Sequence, residues 1–233
     1  MTKNKDPNKE SLADIAVDPD ILARELALET EIDPLEQIDE DAFSKGLNIT
    51  QECDEALKML EGNREERIQG LRIFCEYRDK RSFPLLLPLL DQPCPVERMS
   101  AVYALGRNPC PIAVSKLVSL LETDDNAYVR RATAWSLANY DNQIVLKPLI
   151  NALKNDVASV RLWSSSSLAE IGNVSMKNAQ IAAEQLLISL KIDNESGVRS
   201  NCIWSLCRLF EKLNNTVQES FVDECTKIAL FDK

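Results

Sequence analysis

The sequence predicts an all-α protein, an α-solenoid of about five stacked helix pairs plus a terminal helix. Three observations predict it. An arginine recurs at Arg67, Arg98, Arg130, Arg161 and Arg199, at intervals of 31, 32, 31 and 38 residues. Seven residues after each stands a large apolar side chain: Phe74, Leu105, Leu137, Leu168 and Leu206. Three residues after each stands a small one: Gly70, Ala101, Thr133, Ser164 and Cys202. Self-similarity at such a period marks a stack of units, none of which can bury its apolar face alone.

Each unit reads as a helix A, a short acidic turn and a helix B. The first A helix is expected over 51–61, with Thr50 as its N-cap and Gly62 just past its end. Later A helices end on pairs such as Leu89-Leu90, Leu120-Leu121, Ala152-Leu153 and Ser189-Leu190. The turns after the last three are Asp124-Asp125, Asn155-Asp156 and Asp193-Asn194-Glu195. Pro84 and Pro148 fall near A-helix starts, where a missing N–H costs little, whereas Pro88 falls deeper and should kink its helix. In the B helices the apolar positions are −1, +3, +6/+7 and +10 from the arginine. They fall within about 100° of arc at 100° per residue, one buried stripe. Small residues at +3 and +6 let neighbouring B helices approach closely. Residues 173–180 (NVSMKNAQ) account for the 38-residue interval as a longer loop, and 216–230 is an A helix with no B helix to follow.

The repeats occupy 47–233. Residues 1–46 differ, with 13 acidic and 5 basic residues, Pro7, Pro19 and Pro34, and few large apolar side chains. They read as an acidic, mostly disordered leader, with too little apolar surface to offset chain entropy. The alternative is local: residues 19–29 (PDILARELALE) place Ile21, Leu22, Leu26 and Leu28 as a short amphipathic docking helix would.

Composition removes whole classes of function. The chain has 233 residues, a net charge of −10 and no histidine. Ser-His-Asp and Cys-His hydrolysis, imidazole metal sites and His-based proton transfer are all excluded. The six glycines form no phosphate-cradling loop, and the acidic balance argues against nucleic acid. No catalytic residue and no metal ligand set is expected. The seven cysteines, Cys53, Cys75, Cys94, Cys110, Cys202, Cys207 and Cys225, include no CxxC. With no signal-like N-terminus and no apolar run near the ~20 residues of a membrane span, they imply a cytoplasmic protein with free thiols. Cys94 and Cys110 flank opposite ends of a helix about 18 Å long, so they share neither a metal nor a disulfide. The cysteines read as buried structural thiols.

The arginines read as an inter-repeat ladder, with Asp125–Arg130 and Asp156–Arg161 as its pairs. Position +5 is more informative for function, because it points about 145° away from the buried stripe. Its occupants are Arg72, Tyr103, Trp135, Ser166 and Trp204. Position +1 adds Met99, Arg131 and Leu162; +9 adds Arg107 and Arg208; Trp163 stands at +2. Stacks of this kind line their concave side with B helices. The expected binding strip is Met99, Tyr103, Arg107, Arg131, Trp135, Leu162, Trp163, Trp204 and Arg208, because exposed aromatics beside arginines make binding hot spots. The other reading is that the aromatics fill grooves between adjacent B helices and bind nothing.

The phrases DDNAYVRRATAWSLANY (124–140), DVASVRLWSSSSLAEIG (156–172) and VERMSAVYALGR (96–107) resemble HEAT-like repeats of the phycobilisome-lyase type. The resemblance covers roughly 50–230. It extends to cyanobacterial relatives of the E-type bilin lyase subunit, among them the HEAT-repeat protein that binds the A-type iron–sulfur scaffold. The acidic leader and PVERMSAVYALGRNP look closer to that scaffold-binding relative. Deoxyhypusine hydroxylase shares the repeat but holds two irons on His-Glu pairs, which a chain without histidine cannot reproduce. The resemblance implies an accessory or scaffold factor with no required cofactor. Its partner would be another protein: a phycobiliprotein, a second lyase subunit or an iron–sulfur scaffold. The alternative it implies is a lyase subunit that cradles a transiently bound phycobilin and passes it to a client cysteine. A structural linker in a large antenna assembly is a third, weaker reading.

Overall fold

The computed structural model describes residues 49–140 and 143–231, with side chains through 228. The acidic leader, and with it the stretch 19–29 considered as a docking helix, lies outside the described residues. Among these, every regular element is helical and no strand occurs. The A–B pairs are α1 (Ile49–Leu60) with α2 (Arg64–Glu76), and α3 (Phe83–Leu89) with α4 (Pro95–Arg107). They continue as α5 (Val114–Thr123) with α6 (Ala127–Leu137), α7 (Leu146–Asn155) with α8 (Ala158–Gly172), and α9 (Met176–Ile192) with α10 (Ser196–Leu209). The terminal A helix is α11 (Asn215–Phe231). Five pairs and a single helix are what the repeat period predicts.

The buried stripe is where the spacing put it. Phe74, Leu105, Leu137, Leu168 and Leu206, all at +7, are 0% exposed. The small residues at +3 are buried in all five repeats, and B helices pack on one another in sequence: α2 on α4, α4 on α6, α6 on α8, α8 on α10. The close approach has a polar component. Ser167 and Ser205, both at +6, donate hydroxyl hydrogen bonds to Ala134 O (2.7 Å) and Ser165 O (2.9 Å) of the preceding B helix.

Three local expectations are corrected. Helix α1 already includes Ile49, so Thr50 is inside it and does not cap it. Pro88 does not bend a long helix; it sits one residue before the end of α3, only seven residues long. Residues 173–180 are not a longer loop: the Ser175 hydroxyl accepts from Asn178 N–H (3.1 Å) and restarts the chain as helix at Met176. The extra residues lengthen α8 and α9 to 15 and 17 residues, against 11 and 10 for α6 and α7.

The arginine ladder exists, but its pairing differs from the expected one. Arg98 grips the Asp124 carboxylate at 2.8 and 2.9 Å, Arg130 grips Asp156 at 2.8 and 2.7 Å, and Arg161 grips Asp193 at 2.7 Å twice. Arg67 meets Glu97 through one carboxylate oxygen, Oε1, at 2.7 and 2.6 Å. Arg98, Arg130 and Arg161 therefore reach the turn of the next repeat, and Arg67 the first turn of α4, not an acid five residues before them. What it takes from its own turn is main-chain oxygen. Arg130 Nη1 donates to Asp124 O (2.7 Å), Arg161 Nη1 to Asp156 O (2.9 Å) and Arg199 Nη1 to Asp193 O (2.8 Å). The reason is positional. Asp124, Asp156 and Asp193 cap the C-termini of α5, α7 and α9 in extended backbone, which turns the carboxylate towards the preceding B helix. Burial alone would raise the Asp193 carboxyl. Hydrogen bonds from Arg161 and the Glu195 N–H, with the charges of Arg161 and Arg199, outweigh it and hold it below its ordinary value. Arg98, Arg130 and Arg161 are correspondingly held more firmly protonated by the carboxylates they grip.

A second set of polar ties closes the opposite ends of the B helices. Asn108 Nδ2 donates to Phe74 O (2.8 Å) and Tyr77 O (3.1 Å), and its Oδ1 accepts from Asp79 N–H (2.8 Å). The Tyr140 hydroxyl donates to Leu105 O (2.9 Å), and Lys212 Nζ donates to Asn173 O. Each tie spans one repeat boundary. Burial pushes the Tyr140 phenol up to about 12, so it stays a donor across the physiological range.

Candidate binding groove on the B helices

The predicted strip separates into three parts. The first lies between α4 and α6. Tyr103 is 3% exposed, so the expectation that it faces solvent is wrong. The half-buried Trp135 lies over it, ring centroids 5.4 Å apart and tilted by 60°. Arg107 stacks on the Trp135 ring at 5.4 Å. Gly106 makes this possible: a Cβ there would come within 2.4 Å of the indole. Here the groove-filling reading holds, since Trp135 seals the seam between two B helices. Met99 is half-buried, and Arg131, also half-buried, places its guanidinium 5.4 Å from the Tyr128 ring.

Trp163 forms the second part. It is half-buried on α8, one turn before Ser167, whose hydroxyl faces α6. It does not line the groove described next.

The third part is open. Between α8 and α10 runs a groove of about 340 Å³ lined by Leu162, Ser166, Gly197, Ser200, Asn201 and Trp204. Trp204 is 46% exposed, and Arg208 stacks on it at 4.8 Å. Glu170 holds Arg208 in place at 2.8 Å. Asn201 fixes the floor: its Nδ2 reaches Leu162 O (3.0 Å), Ser165 Oγ (2.7 Å) and Ser166 Oγ (2.6 Å). The result is an apolar wall, an exposed indole, a row of hydroxyls and one oriented cation. That set suits recognition of a side chain or ring carrying an anionic group. It contains no nucleophile–base pair.

Sequence reasoning missed Asn201, Ser200 and Glu170. A signal for Glu170 was present: it stands at +9, the position that supplied Arg107 and Arg208. Another cavity, of about 410 Å³, involves Arg130 and Asp156 beside Pro148 and Asn151, where the charges are already committed to the ladder.

The cysteines are all free. Cys53, Cys75, Cys110 and Cys202 are buried as expected, but Cys207 is exposed and Cys94 and Cys225 are half-buried. Burial pushes the Cys202 thiol up to about 12. Burial also opposes ionisation of Cys94, yet the Glu97 N–H and the Arg64 guanidinium, 3.1 Å from Sγ, bring it below the ordinary thiol value. Among the described residues no group of three or more Cys, Asp or Glu could hold a metal, and no helix is long and apolar enough to cross a membrane.

Among solved structures, the chain is similar to one in the complex of CpcE and CpcF of phycocyanin lyase from Nostoc sp. PCC7120. Identity is 19% and the TM-score 0.57, with 67% of this chain and 98% of that chain covered. The likeness is one of fold. No curated protein sequence matches the chain. The sequence pattern of HEAT repeats matches residues 54–138 and 114–207, the same span in which the arginine ladder and the stacked B helices were found. The chain belongs to the HEAT-repeat family.

Proposed function

We propose that the chain is a protein-binding HEAT-repeat solenoid that holds its partner in the groove between α8 and α10. It acts as an accessory or scaffold factor in phycobiliprotein maturation or iron–sulfur biogenesis. The observation that carries the site is Trp204, nearly half exposed beneath an oriented Arg208 at the rim of an open groove. Trp and Arg dominate binding hot spots, and here they stand stacked together beside a groove. The two contexts come from the resemblance of the repeat phrases and from the similar fold of the phycocyanin lyase chain. Titration calorimetry against a purified phycobiliprotein subunit and against a purified A-type iron–sulfur scaffold tests both. Trp204→Ala should weaken whichever interaction is seen by about tenfold or more, with the fold intact. Unchanged affinity in that variant refutes the site, and absence of binding to either protein refutes both contexts.

A second reading, a lyase subunit, draws on the same cations. Arg208 on Trp204 and Arg107 on Trp135 set guanidinium groups beside rings, an arrangement suited to pairing the propionates of an open-chain tetrapyrrole. Co-expression with a bilin-producing pathway separates the readings: bound visible absorbance in the purified chain favours the lyase, and a colourless chain that binds its partner favours the scaffold.

A further inference from the structure

The seam between α4 and α6 and the seam between α8 and α10 are built on one plan. In each, the +6 residue of the second helix meets the first helix between its +4 and +8 positions: Ser136 stands beside Gly106, and Ser205 donates to Ser165 O. The two seams therefore compare position by position. Trp135 and Trp204 both stand at +5 of the second helix, and Met99 and Leu162 both stand at +1 of the first. What differs is aromatic content. At +5 of the first helix the earlier seam has Tyr103, 3% exposed beneath Trp135, where the later seam has Ser166. At −2 of the second helix the earlier seam has Tyr128 and the later one Gly197. Ser166 and Gly197 both line the groove of about 340 Å³. The groove is thus the space that two rings fill in the equivalent seam.

Position +8 keeps that space open. A Cβ on Gly106 would come within 2.4 Å of the Trp135 indole, so its absence lets the ring lie down on α4. At the same position of α8 the Cβ is present, on Ala169, and Trp204 stands off the helix, 46% exposed. Arg208, held by Glu170, stacks on the raised indole.

We propose that the groove is an aromatic-ring subsite, which receives one aromatic side chain of the partner over Ser166 and against Trp204, where the α4–α6 seam seats its own Tyr103. The inference deepens the reading of the groove as the partner's site and rests on it. The chain itself displays the favoured geometry. Aromatic pairs prefer tilted or offset rings with centroids about 4.5–7 Å apart, and Tyr103 and Trp135 sit at 5.4 Å and 60°. An aliphatic side chain would fill the volume without that pairing.

The test adds two capped amino acids, N-acetyltyrosinamide and N-acetylleucinamide, to the full chain and follows the Trp204 indole N–H by NMR, assigned through Trp204→Phe. The tyrosine probe should shift it saturably in the millimolar range expected of so small a ligand, about fivefold or more tighter than the leucine probe. Ser166→Tyr supplies the missing ring from the chain itself. It should move the indole resonance without any probe and weaken probe binding about tenfold or more. Ser166→Ala removes the hydroxyl that Asn201 binds at 2.6 Å but adds no ring, and should leave binding within about twofold. Where Ser166→Tyr does not fold, Gly197→Tyr serves, since the position is exposed and a Cβ there meets only Leu162, at 3.7 Å. Equal binding of the two probes, or tyrosine binding indifferent to both Tyr substitutions, overturns the proposal. So does tighter probe binding in Phe43→Ala, which puts the chain's own ring in the groove, or weaker binding at higher protein concentration, which puts a second copy's ring there. If Trp204→Ala weakens the calorimetric interaction while the two probes bind alike, the groove stays the partner's seat and only the aromatic occupant is wrong. If the probes behave as expected but Trp204→Ala leaves partner affinity unchanged, the ring specificity stands and the partner reading of the groove falls.

Discussion

Replacing Asp156 by Asn perturbs one rung of the ladder and nothing else of comparable size. The Asn keeps an acceptor for the Val157 N–H (2.7 Å) but removes the charge that Arg130 grips through two hydrogen bonds. The side chains of Arg130 and Asp156 are 17% and 12% exposed, which places the pair between a surface ion pair, worth ~0–1 kcal/mol, and a buried one, whose breakage costs ~3–5 kcal/mol. A loss of about 2–3 kcal/mol follows, equivalent to roughly 4–12 °C in Tm for a domain of this size. Asp125→Asn is the internal control. That residue is exposed; its hydrogen bond to Arg130 comes from a main-chain oxygen at 3.3 Å, which the substitution preserves, and its carboxylate acts on Arg130 only as a nearby solvated charge. It should cost under about 0.5 kcal/mol. Urea and thermal unfolding of the two variants, with Arg130→Met and the Arg130→Met/Asp156→Asn double variant, complete a cycle whose coupling should be about 1.5–3 kcal/mol. If Asp125→Asn destabilises as much as Asp156→Asn, or if the coupling is near zero, the next-repeat pairing is refuted.

The depressed Asp193 carboxyl gives a pH dependence with a definite sign. Its folded pKa lies below the ordinary 3.8, so its contribution is complete above that value and is lost as pH falls through the lower folded one. Arg161→Met should remove this acid-limb dependence from an unfolding titration between about pH 5 and 2. Gly106→Ala should cost about 1–3 kcal/mol, because the new methyl displaces the Trp135 ring, and should shift the tryptophan emission spectrum. Leu137→Ala and Leu206→Ala, at fully buried positions, should destabilise by ~2–5 kcal/mol, whereas Trp204→Ala should cost well under the ~3–5 kcal/mol of a core aromatic; equal midpoints would overturn the face assignment.

Much of this architecture was legible because it repeats. The arginine, the small residue at +3 and the apolar residue at +7 each recur five times, and a pattern so redundant survives local exceptions. Partner choice was not legible. Asp125 and Arg130 are five apart in sequence, and nothing in the spacing reveals that the preceding Asp124, as the cap of α5, faces away towards Arg98. The binding strip was legible only where one helix governs exposure. A wheel measured +5 correctly as pointing away from the core of its own pair, and Arg72 and Trp204 are indeed exposed. It could not register that α6 lays Trp135 across Tyr103, since that burial comes from a neighbouring repeat and depends on the missing side chain of Gly106. The helix at 176 escaped because NVSMKNAQ is polar and reads as loop, whereas the Ser175 hydroxyl caps a helix that Ala179, Ala182 and Ala183 bury.

Asp124, Asp156 and Asp193 each hold one arginine by the carboxylate and the next by the main-chain oxygen. The rungs are thereby joined in series along one edge of the molecule. Under tension applied at the termini, this arrangement yields in jumps. A repeat cannot loosen gradually, because freeing its aspartate releases the arginine of the preceding repeat and the brace on its own arginine at once. Each release pays out one repeat of 31 to 38 residues, about 105–130 Å of contour length at ~3.4 Å per residue. Pulled from its ends, the protein lengthens like a zip fastener, tooth by tooth, not like a spring.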